Sequence, residues 1–564
     1  MILYILCYFL VTIIFISIGK VVVTKFDLEN KYNFFDFFFI GICFVGAILN
    51  IWSLFFPTDI LSFLFLLILS FFCLFYIKKK NLININALFV RLKTLIKSQP
   101  YFILAVLITF LFILFTSIIT PRLFDSHLYH IGAIKWNEMY NVVPGLANFH
   151  DRFGFNSSFF VMSASFTLTS ILNQSLYLLS SLIILVFFIW LIKIAFEKKG
   201  LIAFICIFYL YFFYEQYILD ISSPSSDLLP NILISFLFFK LLILGENFKN
   251  QYLLLVVIPF FCITLKLSTI PILLISFIAL FYKFNKLNAI KQTLIYGTIF
   301  ILPWIIRNVI LTGYVLYPFE EIDFFNFDWE VPAEKVKETK DWVYSWAKIP
   351  FYDSKEVLNK SFSEWFSIWW EMTDIKNRRL FIVALISPVL LTVVYLFKRH
   401  TFNKVFITTY SICYLGFIFW LLKAPDFRFS FSLILLLNIS VLIKIFDFNL
   451  FYHKYTYHFI IIIMFSTLII NTKKSFILFS EDYKVYELTS YLFKPINYNT
   501  FVKRCNAEFI KNKYSFKNKK EVILYSPLQN NSSRCFDVIP CSAYLNKNIK
   551  LRGNSFKNGF KYKK

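Results

Sequence analysis

The sequence predicts an all-α polytopic membrane protein of about fourteen transmembrane helices, with external interfacial helices and a small external α+β C-terminal region. Three observations predict it. Hydrophobic residues make up 59% of the 564-residue chain and charged residues only 16%, where a soluble domain carries about 45–50% and 25%. Phe occurs 75 times and the mean hydropathy is +0.67. Apolar runs of the roughly 17–25 residues needed to cross a bilayer recur along most of the chain. A soluble globular enzyme is thereby excluded. The net charge of +24 would point to nucleic acid in a soluble protein, but the basic residues cluster between apolar runs, where they act as topology signals, so no nucleic-acid partner is expected. Only 13 Gly are present, with no Gly-rich phosphate loop and no repeat period, which excludes nucleotide-binding cassettes and solenoids.

Taken in order, the runs predict spans near 2–19, 35–56, 58–77, 101–120, 174–195, 199–219, 228–245, 251–265, 268–283, 290–311, 378–397, 402–422, 428–447 and 456–472. They divide the chain into N-terminal spans with a basic loop (1–100), a core (101–472) and a polar C-terminal region (473–564). The first run, Ile2 to Ile18, lacks a basic start and a small-residue cleavage site and reads as a retained span. The basic loop of Lys78, Lys79, Lys80, Arg91, Lys93 and Lys97 is expected in the cytoplasm. Ser157 to Leu172 is apolar but studded with Ser and Thr. Read as a re-entrant or juxtamembrane piece, it leaves the clusters Lys193/Lys198/Lys199, Lys283/Lys286/Lys291 and Lys398/Arg399/Lys404 inside; read as a span, it puts all three outside. The first reading obeys the positive-inside rule. It makes 121–173, 220–227, 266–268, 312–377, 423–427 and 473–564 one external face.

That face gathers the polar residues of interest: Asp125, Asp220, Asp227, Lys266, Arg307 and Arg428. A charge at membrane depth costs about 2.5–3.5 kcal/mol on insertion scales, so convergence of six on one side marks a site. After Pro121 stops a span, Asp125-Ser126 can open an amphipathic helix carrying Leu128, Ile131, Ile134 and Trp136, expected to lie in the interface. Asp125 can be that helix's N-cap or a carboxylate held at the membrane surface as a general base. With His127 and His130 it forms a nominal metal cluster; a divalent ion is compatible with it but nothing indicates one, so no cofactor is expected. Asp220-Ile-Ser-Ser-Pro-Ser-Ser-Asp227 is a Ser-rich turn whose second carboxylate either caps the next helix or faces the first loop. Lys266 sits in a tight turn, where snorkelling is its alternative role. Arg307 ends a span and Arg428 opens another. Both, with Lys266, suit a phosphate, which guanidinium groups grip bidentately, although Arg428 can instead pair locally with Asp426. Loop 312–377 is acidic and rich in Trp, residues that form interface belts or stack on sugars and polyprenyl chains. Six of nine cysteines lie in apolar runs. Cys535 and Cys541 can bridge if the tail faces an oxidising compartment.

An Asp just after a span, a second acidic turn and outer arginines resemble the GT-C superfamily of membrane glycosyltransferases, nearest to the protein O-mannosyltransferase and aminoarabinose transferase group. More narrowly, Phe124-Asp125-Ser-His-Leu-Tyr-His130, Val143-Pro144-Gly145-Leu146, Phe155-Asn156-Ser157-Ser158, Ser223-Pro224-Ser-Ser-Asp227, Leu265-Lys266-Leu-Ser268, Arg307-Asn308 and Ala424-Pro425-Asp426-Phe427-Arg428-Phe429 resemble a bacterial multi-span family of that organisation. The resemblance covers about 120–430. It implies that Asp125 is the base and Asp227 the second-loop carboxylate, although many members carry an acidic pair where this chain has Asp125-Ser126. It further implies a polyprenyl-phosphate-linked sugar as donor, an external acceptor, and Arg307, Arg428 and Lys266 on the lipid phosphate. The implied location is a bacterial inner membrane with the site on its periplasmic face among membrane lipids. The alternatives are a lipid-linked oligosaccharide flippase or other transporter, and an O-antigen polymerase or ligase.

Overall fold

A computed structural model describes residues 1–26, 32–80, 94, 97–198, 200–246, 248–281, 286–446, 454–482, 509–528, 534–545 and 548–563. Arg91, Lys93, Lys199, Lys283 and Cys505, which entered the topology and cysteine readings, fall outside them. Among the described residues, eleven helices are long and apolar enough to cross a membrane: Ile2–Phe26, Phe34–Phe55, Ile60–Lys79, Pro100–Ser117, Leu179–Lys198, Gly200–Tyr217, Lys286–Thr312, Ile375–Thr401, Lys404–Lys423, Phe427–Ile445 and Ile461–Ser480. This is an integral membrane protein. Three further apolar helices, Leu228–Leu242, Tyr252–Leu265 and Leu267–Leu280, coincide with expected spans but are shorter. At 1.5 Å per residue they reach only about 20 Å of a hydrocarbon layer of about 30 Å.

The first two helices show how such a bundle is held. Gly19 and Gly41 sit where the chains cross. A Cβ on Gly19 would lie 1.9 Å from the Phe37 carbonyl oxygen and one on Gly41 1.8 Å from that of Phe15. Small residues permit this approach, and close backbone packing is what associates helices in lipid. The second helix starts with a capping box, Asn33 accepting from the Asp36 amide while the Asp36 carboxylate accepts from the Asn33 amide. The same Asp36 forms a buried ion pair with Lys240 at 2.6 Å, tying the second helix to Leu228–Leu242.

The segment 121–173 folds as short pieces packed on one end of the bundle. Residues Ser126–His130 form a π-helical turn that runs into the helix Ile131–Met139. The expectation of an interfacial helix is corrected here. Leu128, Ile131, Ile134 and Trp136 are buried in protein rather than laid on lipid, because the helix Ser158–Ser165 packs beneath and C-terminal aromatic residues cover the top, with Trp136 meeting Phe556 and Phe560 edge-on. Ser158–Ser165 is eight residues long, about 12 Å, and cannot span a bilayer.

The C-terminal region forms two antiparallel hairpins, β1 (Phe509–Ser515) with β2 (Glu521–Pro527), and β3 (Ile549–Leu551) with β4 (Phe560–Tyr562). It is fastened to segment 121–173 at two points. The Phe560 amide donates to the Pro144 carbonyl at 3.0 Å, and Gly559, at φ +88°, admits no Cβ because the same carbonyl would lie 1.9 Å away. The loop closed by the Cys535–Cys541 disulfide gives two amides, Cys535 and Phe536, to the His127 carbonyl at 3.0 Å each. Arg552 forks onto Asp328 at 2.7 and 3.0 Å, joining the tail to loop 312–377.

Candidate functional site

Residues 424–428 form a corner that the surrounding sequence holds rigidly. Two indoles donate to its carbonyls, Trp369 to Pro425 and Trp420 to Asp426, each at 2.8 Å. Asp426 caps the helix Phe427–Ile445 through the Arg428 amide at 3.1 Å and takes the Arg428 Nε at 2.8 Å with its other oxygen. Ser430 is non-helical, at φ −143° and ψ 22°, so the first turn is broken. Asn231 mends the break, donating to the Arg428 carbonyl at 3.0 Å and accepting from the Ser432 amide at 3.1 Å. Arg428 is thereby aimed sideways, with 30% of its side chain exposed.

Asp125 meets it there. Its side chain makes no cap bond to the turn that follows, which removes the N-cap reading. The carboxylate instead accepts from Arg428 Nη1 at 2.7 Å and stands 3.5 Å from Arg152 Nη1. Asp227 likewise makes no side-chain cap bond. It pairs with Lys266 in a close contact and lies 3.7 Å from Arg428 Nε. The Ser-rich turn brings these two carboxylates together, because Ser223 Oγ accepts from the Arg122 and Leu123 amides at 3.1 and 3.3 Å and so clasps the first loop. Lys266 stands at the turn between Tyr252–Leu265 and the helical segment starting at Leu267, its ammonium 3.3 Å from the centre of the Phe429 ring.

The result is a balanced cluster of Asp125, Asp227 and Asp426 against Arg152, Arg428 and Lys266. All but Asp426 line a cavity of about 1330 Å³, open mouth included. Leu265, Leu267, Ile270, Phe419 and Phe429 make the cavity's apolar side, and Tyr129, Trp342 and Lys423 close it elsewhere. Burial alone would raise the Asp125 carboxyl, but Arg428, with His130 and Arg152, reverses the sign and holds it at about 2. Burial pulls the Lys266 ammonium down, against Asp227, which favours its charged form. Arg428 and Lys266 are already paired with carboxylates, so an anionic headgroup that engages them competes with Asp125 and Asp227.

The structure brings together Asp125, Asp227, Lys266 and Arg428. Arg307 stands apart. Its guanidinium is buried and donates to Ser53 Oγ at 2.6 Å, Asn156 Oδ1 at 3.0 Å and Asn137 Oδ1 at 3.0 Å, lining a separate small pocket. His127 and His130 flank Asp125 in sequence but do not line the cavity. The His127 Nε2–H donates to the Pro121 carbonyl at 2.7 Å beneath Phe536, and burial lowers this imidazole to about 4. His130 Nδ1 lies 3.3 Å from Ser126 Oγ, packs on Tyr129 and Phe160, and is lowered by burial to about 4 although Asp125 pulls the other way. Among the described residues, no group of three His, Cys, Asp or Glu side chains is placed to hold a metal ion. Asp220 is buried behind the cavity wall, which raises its carboxyl to about 7. Sequence reasoning missed Arg152, which stacks on Trp342 at 4.1 Å while facing Asp125. The available signal was a lone arginine between His150-Asp151 and Phe153 in an otherwise apolar loop.

Residues 1–435 match the model of a family described as a domain of unknown function, DUF8201. No curated protein and no solved structure matches the chain.

Proposed function

We propose that this chain, which belongs to the DUF8201 family, is an integral-membrane glycosyltransferase that moves a sugar from a polyprenyl-phosphate carrier to an acceptor outside the cytoplasm. The observation that carries the reading is the Asp125–Arg428 pair at 2.7 Å in a cavity with one apolar side. A lipid-linked sugar phosphate has matching halves, an apolar chain for Leu265, Leu267, Ile270 and Phe419 and a phosphate for Arg428 and Lys266. The roles of Asp125 and Asp227 in this reading are those the GT-C resemblance implies, and Arg307 takes no part.

In the proposed reaction the acceptor hydroxyl oxygen attacks the sugar C1 from the face opposite the phosphate. The new C1–O bond forms as the C1–O bond to phosphate breaks, the lipid phosphate leaves with the electron pair, and the acceptor proton passes to Asp125. Arg428 and Lys266 stabilise charge growing on the phosphate, commonly the largest electrostatic contribution to such a step. Asp125 at a pKa of about 2 is a weak base while Arg428 grips it. A donor phosphate competing for Arg428 loosens that grip and raises the basicity of Asp125, so donor binding arms the base. An oxidising, non-cytoplasmic face is supported by the Cys535–Cys541 disulfide in the tail covering the first loop.

The test is purified protein in liposomes with labelled polyprenyl-phosphate sugars, after identifying by mass spectrometry the lipid that co-purifies. Transfer by wild type that is lost in Asp125→Asn, with co-purifying lipid retained, supports the reading. Undiminished transfer by Asp125→Asn removes the base assignment. Movement of intact lipid-linked sugar between leaflets without transfer makes the protein a transporter.

A further inference from the structure

A second cavity, of about 960 Å³ with its mouth included, adjoins the first and shares Arg152, Tyr317 and Trp342 with it as a common wall. Its character differs. Beside an apolar edge of Ala147, Phe149, Val331 and Pro332 it has the carboxylates of Asp151 and Glu338 with Lys335 and the shared Arg152, and the rings of Tyr544 and Tyr562 of the C-terminal region. Asn148 lines it with 8% of its surface exposed. The Asn148 Nδ2 donates to the Trp329 carbonyl at 2.7 Å, which fixes the amide, and its buried Oδ1 has no partner. A buried amide oxygen left without a donor costs free energy that a ligand hydroxyl would recover.

We propose that this second cavity binds the acceptor and that the acceptor is a carbohydrate, an inference that rests on the transferase reading and deepens it. Flat aromatic faces accept the C–H faces of sugar rings, while carboxylates and a fixed amide oxygen take hydroxyl hydrogens. The carboxylates of Asp151 and Glu338 argue against a phosphorylated occupant, and their place among tyrosine rings favours a ring-shaped polyol over a lipid chain. The shared wall supplies the route to chemistry, because Arg152 lines this cavity and also stands 3.5 Å from Asp125. Arg152 is stacked on Trp342 at 4.1 Å, so this wall is one side-chain layer thick, and its displacement brings an acceptor hydroxyl to the proposed base. The tail would then be the acceptor-side wall of the enzyme, since Tyr544 and Tyr562 come from it.

The experiment places the photo-crosslinker p-benzoylphenylalanine at Tyr544 in the full chain, expressed in its native cells, and analyses the adduct after irradiation. A protease-resistant, periodate-sensitive adduct is expected. Tyr562→Ala should lower its yield about tenfold, the effect of losing one stacking face, and Tyr562→Phe should restore it. A peptide adduct, a lipid adduct or no adduct overturns the proposal. Failure of the transferase reading is seen separately: a carbohydrate adduct with no sugar transfer in liposomes leaves this site standing and removes the reaction, whereas transfer with a peptide adduct removes only the carbohydrate assignment.

Discussion

Arg428 and Arg307 are both arginines at helix ends, both surrounded by apolar sequence, and they solve the cost of a buried guanidinium in opposite ways. Arg307 is held by three neutral side-chain oxygens, from Ser53, Asn137 and Asn156, with 2% of its surface exposed. Arg428 is held by the carboxylates of Asp125, Asp227 and Asp426 and opens onto a large cavity. Neutral partners cannot be traded for an anion without leaving their own dipoles unpaired, so Arg307 acts as a fixed rivet joining the second helix and segment 121–173 to the helix Lys286–Thr312. Carboxylate partners can be traded, because a phosphate supplies the same charge. Which oxygens surround an arginine therefore distinguishes a structural guanidinium from one available to a ligand.

The largest expected effect breaks the exchangeable half. Asp125→Asn keeps the size of the side chain and removes its basicity, so turnover should fall by roughly 10²–10⁴, while loss of the pair with Arg428 lowers the melting temperature without preventing folding, measured as sugar transfer and by thermal shift. Arg428→Ala should also deplete the co-purifying lipid. The fixed half should fail differently. Arg307→Met takes the donor from the Asn156 and Asn137 amide oxygens, while Ser53 keeps its bond to the Asn50 carbonyl, and should cost about 3 kcal/mol of stability, read as a lowered melting temperature and reduced yield, while protein that does fold keeps its co-purifying lipid. A variant Arg307 protein that is stable but empty of lipid would erase the distinction.

How much of this was legible in the sequence depends on what the signal measures. Span positions follow from run length, so the helices Ile60–Lys79 and Lys404–Lys423 begin within two residues of expectation. Asp125, Asp227, Lys266 and Arg428 stood out because charge in apolar surroundings is costly. Arg307 stood out for the same reason and was grouped with them, yet it stands apart in the structure, since that cost can be met by two Asn and a Ser from distant segments that carry no pattern of their own. Arg152 escaped notice because its neighbour Asp151 offers a local pair, whereas its partners Asp125 and Trp342 are remote in sequence. Docking of the tail was illegible too: the Phe149–Phe560 stack at 5.0 Å has no local periodicity to betray it.

Two smaller effects sharpen the comparison around the cluster. Replacing Cys535 and Cys541 by Ser removes a short closed loop worth about 2 kcal/mol locally, and hydrogen exchange should rise over 534–545 and at the His127 turn but not in the membrane helices. Asp220 gives the smallest effect and a pH signature. Its folded pKa of about 7 lies above its ordinary value of 3.8. The folded state thus holds a proton that the unfolded state has released, and stability falls as pH rises between about pH 4 and 7. Asp220→Asn should flatten that slope, so the variant melts higher than wild type at pH 8 and close to it at pH 4. Asp125, depressed to about 2, contributes with the opposite sign and loses its contribution only as pH falls from about 4 towards 2.

The bond from the Phe560 amide to the Pro144 carbonyl sets an order of events during synthesis. The membrane helices leave the ribosome long before Phe560 does, so they can insert and pack while the second cavity still lacks its outer wall. Tyr562 completes that wall only after every described membrane helix has been made. A chain cut short before Phe560 would then be an inserted protein whose second cavity stands open on one side, so that insertion and completion of the cavity are separate events.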